Sequence, residues 1–175
     1  MPLTAADLNA DPVTPMIQAL AALITANLTG LGHVYDLTGA DPAPDQLTRI
    51  QTTPPDVLIW LTQVAYDSGL SAPEPPTRGP ITVHYNRYTL TVTLVLAEYT
   101  PAGSGLTHSQ AAARRWPHAL QALVTAHTTL GGTCWQARVD TAVVGPWTDL
   151  NQRTWQVVQV PVLAVHEVAL TTGST

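Results

Sequence analysis

The chain has no lysine and no phenylalanine, a single cysteine, and few charges: 7 of its 175 residues are Lys or Arg and 12 are Asp or Glu. Each shortage excludes something. One cysteine, Cys134, rules out an intramolecular disulfide and any cysteine-rich zinc site, so the fold must stand on packing. Without lysine there is no Gly-rich phosphate loop ending in Gly-Lys. A formal charge of −5 argues against a surface that grips nucleic acid, because phosphate binding needs a basic patch to displace counterions. The longest apolar run, around Ala19 to Ile24, falls far short of the roughly 20 residues needed to cross a bilayer. "MPLTAADLNADPVTP" lacks both the basic and the apolar region of a secretory signal. The expectation is a soluble chain with no membrane contact.

What is present points to one ordered domain. Apolar residues make up 45% of the chain, enough at this length for a single core. The expected division is an arm over 1–13, one domain over 14–168 and a flexible tail over 169–175. Thr14 and Pro15 read as an N-cap and a first helical residue, followed by Met16, Ile17, Leu20, Leu23, Ile24 and Leu28 at helical spacing, with Gly30 as the stop. "LGHVYDL" predicts a short strand, and "DVLIWLTQVAY", apolar on both faces near Leu58 to Leu61, a strand covered on both sides. Proline-rich loops are expected over Asp41–Pro55 and Ser71–Pro80.

From Ile81 the apolar residues alternate, and the phase slips at Asn86-Arg87, which predicts a bulge or tight turn there. "HSQAAARRWPHALQALVTAH" predicts a second helix with Trp116, Leu120, Leu123, Val124 and His127 on one face, kinked or restarted at Pro117. Trp135, Ala137, Val139, Thr141 and Val143 then alternate, with Trp135 turned inward, before a final strand over Arg153–Val168. Pro161 predicts that this strand lies at an edge or bend. The fold class is therefore α+β: a mainly antiparallel sheet, two helices on one face, and a long, projecting C-terminal β-hairpin.

The stretch "HTTLGGTCWQARV" holds the single cysteine with a histidine close by. Cys134 and His127 are seven residues apart, but no Asn or Asp is placed to orient a base, and a small buried residue explains Cys134 as well. His33, His84, His108, His118, His127 and His166 show none of the short ligand spacings of a metal site. Asp140 and Asp149 flank a turn without forming a catalytic pair. No catalytic residue, metal or cofactor is assigned, although a small soluble enzyme using Cys134 or a histidine remains the contrasting reading. Gly131 and Gly132 form a structural corner where helix gives way to strand. Arg114, Arg115 and Trp147 are candidate interface anchors, because Arg and Trp are enriched at binding hot spots. Arg87, Tyr88, Asp149 and Arg153 complete the interface set on expected exposure.

An N-terminal amphipathic helix, a strand ending in "VYD", "PDVLIWL", a Thr-alternating strand, a helix closing on "TLGG" and a last strand "VPVLAVHEV" together resemble the tail terminator, or tail completion, proteins of long-tailed bacteriophages. The likeness covers Thr14 to Val168. "DVLIWLTQVAYDSGL" through "PPTRG" is also similar to the tail-cap proteins of contractile injection systems. The resemblance implies a virion protein, assembled in the host cytoplasm, that forms a hexameric ring on the head-proximal end of the tail tube. Such a ring stops tube growth and offers a surface to the head connector or stopper, with no cofactor and no catalysis. DNA would pass through its channel unbound, in keeping with the acidic balance. Another neck ring, such as a stopper or adaptor, and the tail-tube subunit itself are the neighbouring alternatives.

Overall fold

Two helices lie on one face of a six-stranded sheet in a computed structural model that describes residues 11–38, 55–67, 81–98, 106–148 and 152–171. The elements run α1 (Val13–Asn27), β1 (Val34–Asp36), β2 (Asp56–Asp67), β3 (Ile81–Glu98), α2 (Leu106–Ala126), β4 (Gln136–Val139), β5 (Val143–Thr148) and β6 (Thr154–Thr171). The sheet order is β1-β2-β3-β6-β4, with β5 also on β6. Among the described residues, only β1 and β2 pair in parallel. The α+β class and the C-terminal hairpin are as the sequence pattern implies. The loops expected over most of Asp41–Pro55 and over Ser71–Pro80, together with residues 1–10 of the arm expected over 1–13, lie outside the described residues, and Val13, the last residue of that arm, already belongs to α1.

Helix α1 buries Met16, Ile17, Leu20 and Ile24, four positions of its predicted apolar face. Its start differs from the sequence reading. Thr14 is inside the helix, and the Asp11 carboxylate accepts the Val13 and Thr14 backbone N–H groups at 2.9 and 3.3 Å. The Thr14 hydroxyl also donates to Asp11, and this bond, ahead of the backbone ones, lowers the Asp11 pKa. A carboxylate is a better acceptor for orphan N–H groups than a hydroxyl, so the cap moves upstream. The helix ends at Asn27, before Gly30, with Leu28 extended and its N–H on the Ile24 carbonyl.

Helix α2 runs unbroken through Pro117, which is tolerated at the cost of one bond to the Ala113 carbonyl. It buries Ala113, Trp116, Leu120, Leu123 and Val124, whereas His127 lies beyond its end and is exposed. Against these helices the sheet presents Val57, Ile59, Tyr88, Leu90, Val92, Leu94, Ala137, Val158, Val160, Val162 and Ala164, forming the main core.

The opposite face of the sheet has a smaller core. Leu37, Leu58, Val95, Trp155 and Val157 are buried there, with Tyr35, Trp60 and Trp147 packed against them. Strand β2 is thus covered on both faces at Val57, Leu58 and Ile59, nearer its start than the expected Leu58 to Leu61, since Trp60 is half-buried and Leu61 is exposed.

The pairing of β3 runs through Asn86 and Arg87 with no shift on either side, so the expected bulge is absent there. In an unbroken strand, a change of apolar phase only changes which face carries the apolar residues. The irregularities lie elsewhere, between Leu61 and Gln63 in β2 and between Val95 and Ala97 in β3. Thr62, skipped by the ladder, donates its hydroxyl to the Thr89 carbonyl at 3.0 Å and meets the Thr91 hydroxyl at 3.0 Å.

Strand β6 is internal over most of its length, contrary to the edge placement expected from Pro161, and at its end Val168–Thr171 pair with Ile81–His84 alone, a two-stranded extension beyond the reach of β2 and β4. It pairs with β3 from Trp155 to Thr171, continuing past the expected boundary at Val168, and with β4 and β5 on its other side. In an antiparallel ladder a residue's N–H and C=O face the same neighbour. The Pro161 carbonyl accepts the Asp140 N–H at 2.8 Å, so the proline nitrogen faces the interruption between β4 and β5, where no ladder bond is missed.

Candidate subunit interface

The corner after α2 aims the border strands. Leu130, Gly131 and Gly132 have φ of 45°, 71° and 90°, three left-handed residues in succession. The chain is held through this reversal by Gly132 N–H to Thr129 O, Cys134 N–H to Thr129 O and Ala137 N–H to Thr128 O, at 2.9, 3.2 and 2.6 Å. Leu130 is fully buried and anchors the corner in the main core. Gly131 and Gly132 occur where backbone angles favour glycine; the left-handed Leu130 beside them has no comparable signature in the sequence.

Cys134 is buried, and burial pushes its thiol up to about 11. Its sulfur lies 3.8 Å from the Thr128 carbonyl. That environment disfavours thiolate, the opposite of what a nucleophile needs. Among the described residues, no three of His, Cys, Asp and Glu gather as metal ligands. Among the described residues the buried acid is Asp56, at the start of β2. Its Oδ1 accepts the His33 N–H at 2.9 Å and lies 3.7 Å from His33 Nδ1, while Val57 N–H donates to the His33 carbonyl. Burial raises the Asp56 pKa against the lowering effect of these His33 contacts. This arrangement fastens the parallel β1–β2 pair; the exposed His33 ring and the buried carboxyl were not singled out by sequence spacing.

The seven residues proposed as interface anchors do not share one surface. Tyr88 is buried in the main core and leaves the set, because its phase is that of Leu90 and Val92. Trp147, expected as an exposed anchor, sits within β5, opposite Trp155, and is half-buried on the second core. Arg153 lies with its guanidinium carbon 5.8 Å from the centre of the Trp155 ring, so Trp147 and Arg153 meet through that residue. Arg87 is exposed on the face opposite the helices and, with Arg138, Gln63 and Gln136, lines a shallow trough of about 380 Å³. Arg114 and Arg115 are exposed on α2. Asp149 lies outside the described residues.

Two features were missed from sequence. The first is an apolar border. Trp135, expected inside, is 57% exposed, and Val143 and Val144 are 59% and 52% exposed on β5. The four-residue border strand β4 offers a fully covered position only to Ala137, so alternation does not carry Trp135 inward. The second is a cleft of about 590 Å³ between the end of α1 and the middle of α2, walled by Leu28, Leu31, Leu94, Leu96 and Trp116, with Arg115 also lining it. The adjacent Val-Val pair could have signalled the border, whereas the cleft depends on tertiary packing.

Compared with protein-family models and with curated proteins, the chain matches none.

Proposed function

We propose that this chain is a structural protein that closes head-to-tail into a ring capping the head-proximal end of a phage tail tube, ending tube growth and presenting a joining surface to the head connector. The observation that carries the proposal is the apolar border: Trp135, Val143 and Val144 lie in or beside the two strands that end the sheet. Val143 and Val144 are adjacent on β5, opposite Gln159 and Val158, and Trp135 lies further along the same border, beside Val165; a neighbouring copy laid along the border would cover all three. A border on one side of a subunit that meets a different surface on the next makes a heterologous contact, and heterologous contacts close into rings when the rotation permits. The ring size of six and the choice of a tail tube as target come from the resemblance to tail terminators. The acidic charge of −5 fits a channel through which DNA slides.

The test is the mass of the purified protein in solution, alone and with tail tubes of the phage that encodes it. Rings of one size, on their own or only at the tube end, support the proposal. A strict monomer in both settings, with no affinity for tubes, refutes it. Binding to the portal side in place of the tube would reassign the chain to another ring of the neck.

A further inference from the structure

We infer that the Val143-Val144 border of one copy seats in the α1–α2 cleft of the next, with Asp140 of the first copy facing Arg115 of the second. This rests on the ring reading and names the contact that would build it.

Successive residues of a strand point to opposite faces, so Val143 and Val144 make β5 apolar on both sides, a wedge and not a flat patch. Their exposures of 59% and 52% leave the wedge open to solvent in the single subunit. The cleft has matching chemistry: leucine and tryptophan walls with a volume of about 590 Å³, large enough for a short apolar segment. Its charged lining residue is Arg115, exposed, and no described residue forms an ion pair with it. Three residues before Val143 stands the exposed Asp140, whose Oδ1 accepts the Thr141 N–H at 2.8 Å, fixing the carboxylate beside the wedge. Wedge and cleft therefore agree in polarity and carry opposite charges. They lie on different parts of the subunit, β5 at the sheet border and the cleft between the helices, separated by β6 in the strand order. A pair of complementary surfaces at different places on one chain joins copies head-to-tail. The trough near Arg87 lies on the other face of the sheet and takes no part.

The experiment uses the full chain, with assembly followed by sedimentation alone and by co-sedimentation with tail tubes. Val144→Asp, Arg115→Asp and Asp140→Arg should each weaken assembly at least about tenfold, because a charge is buried in the wedge or like charges meet across the contact. The double variant Arg115→Asp with Asp140→Arg should recover assembly, which a folding defect would not. Circular dichroism on each variant confirms that the subunit is folded. If the wild type assembles and the three single variants assemble equally well, the wedge-in-cleft contact is overturned and the ring reading stands. If the charge-swap double variant is no better than its parents, the Asp140–Arg115 pairing is overturned. If the wild type assembles in neither setting, both readings fall.

Discussion

Substituting the glycines of the corner offers a test in which steric and backbone effects separate. At Gly132, with φ of +90°, a Cβ would meet nothing within 4 Å, and the same holds at Gly131. Alanine therefore introduces no clash with neighbouring residues, and its cost is that of holding an L-residue in the left-handed region, about 1–2 kcal/mol. In a chain of this length that corresponds to a melting temperature lower by roughly 2–8 °C. Gly131→Asn should cost less than Gly131→Ala, because asparagine tolerates these angles. Leu130 supplies the contrast. It is fully buried, so Leu130→Ala loses core packing and should cost about 2–5 kcal/mol. Its own φ of 45° means that Leu130→Gly should be no worse than Leu130→Ala, reversing the usual helix and strand order of these residues. Thermal melts followed by far-UV circular dichroism measure all five variants. Wild-type melting of Gly132→Ala, or a Leu130→Gly variant clearly less stable than Leu130→Ala, would refute the left-handed corner.

Other consequences can be checked separately. Burial raises the Asp56 pKa above its ordinary 3.8, so the folded chain holds that proton more tightly than the unfolded one; its contribution to stability is present below the unfolded pKa and is lost as pH rises through the folded pKa. Asp56→Asn keeps an acceptor for the His33 N–H but cannot ionise. It should equal or exceed the wild type in melting temperature at pH 7 and flatten the pH profile above pH 4, and an asparagine variant destabilised only at neutral pH would contradict this. With its thiol pushed up to about 11, Cys134 should alkylate at pH 8 roughly 100-fold more slowly in the folded chain than in denaturant, from thiolate fraction alone; equal rates would place the thiol outside the core. Trp147→Ala should lower stability by about 1–3 kcal/mol, since it removes half-buried packing and a cross-strand partner of Trp155, and an unchanged denaturation midpoint would show that the second core does not depend on it.

The architecture was readable where periodicity and burial coincide. Leu20, Ile24, Trp116 and Leu120 recur at helical spacing because each helix has one face against the sheet, and the doubly apolar stretch at Val57–Ile59 marks a strand between two cores. The misreadings arise where one local signal outweighed another. Tyr88 was assigned to an interface although it shares the phase of Leu90 and Val92. Pro161 suggested an edge, but the missing donor falls where β4 gives way to β5, so β6 keeps strand partners on both sides, and which strands those are is a long-range outcome that the proline does not report. The helix cap at Asp11 lies just upstream of a Thr-Pro pair that mimics one. Trp147 and the α1–α2 cleft depend on which strands and helices become neighbours, and no short-range pattern carries that information.

The interruption opposite Pro161 also limits how copies can meet. Because the proline nitrogen cannot donate, the partner of β6 on that side is divided into β4, four residues long, and β5, six residues long and itself carrying Pro146. An incoming strand finds no continuous row of backbone donors and acceptors along this border, so ladder growth from copy to copy, the route to fibrils, stalls within a few residues. On the proposed ring reading, association at this border is left to side chains, whose fit is finite and directional, and a ring of fixed size would gain from having this endless mode of assembly blocked.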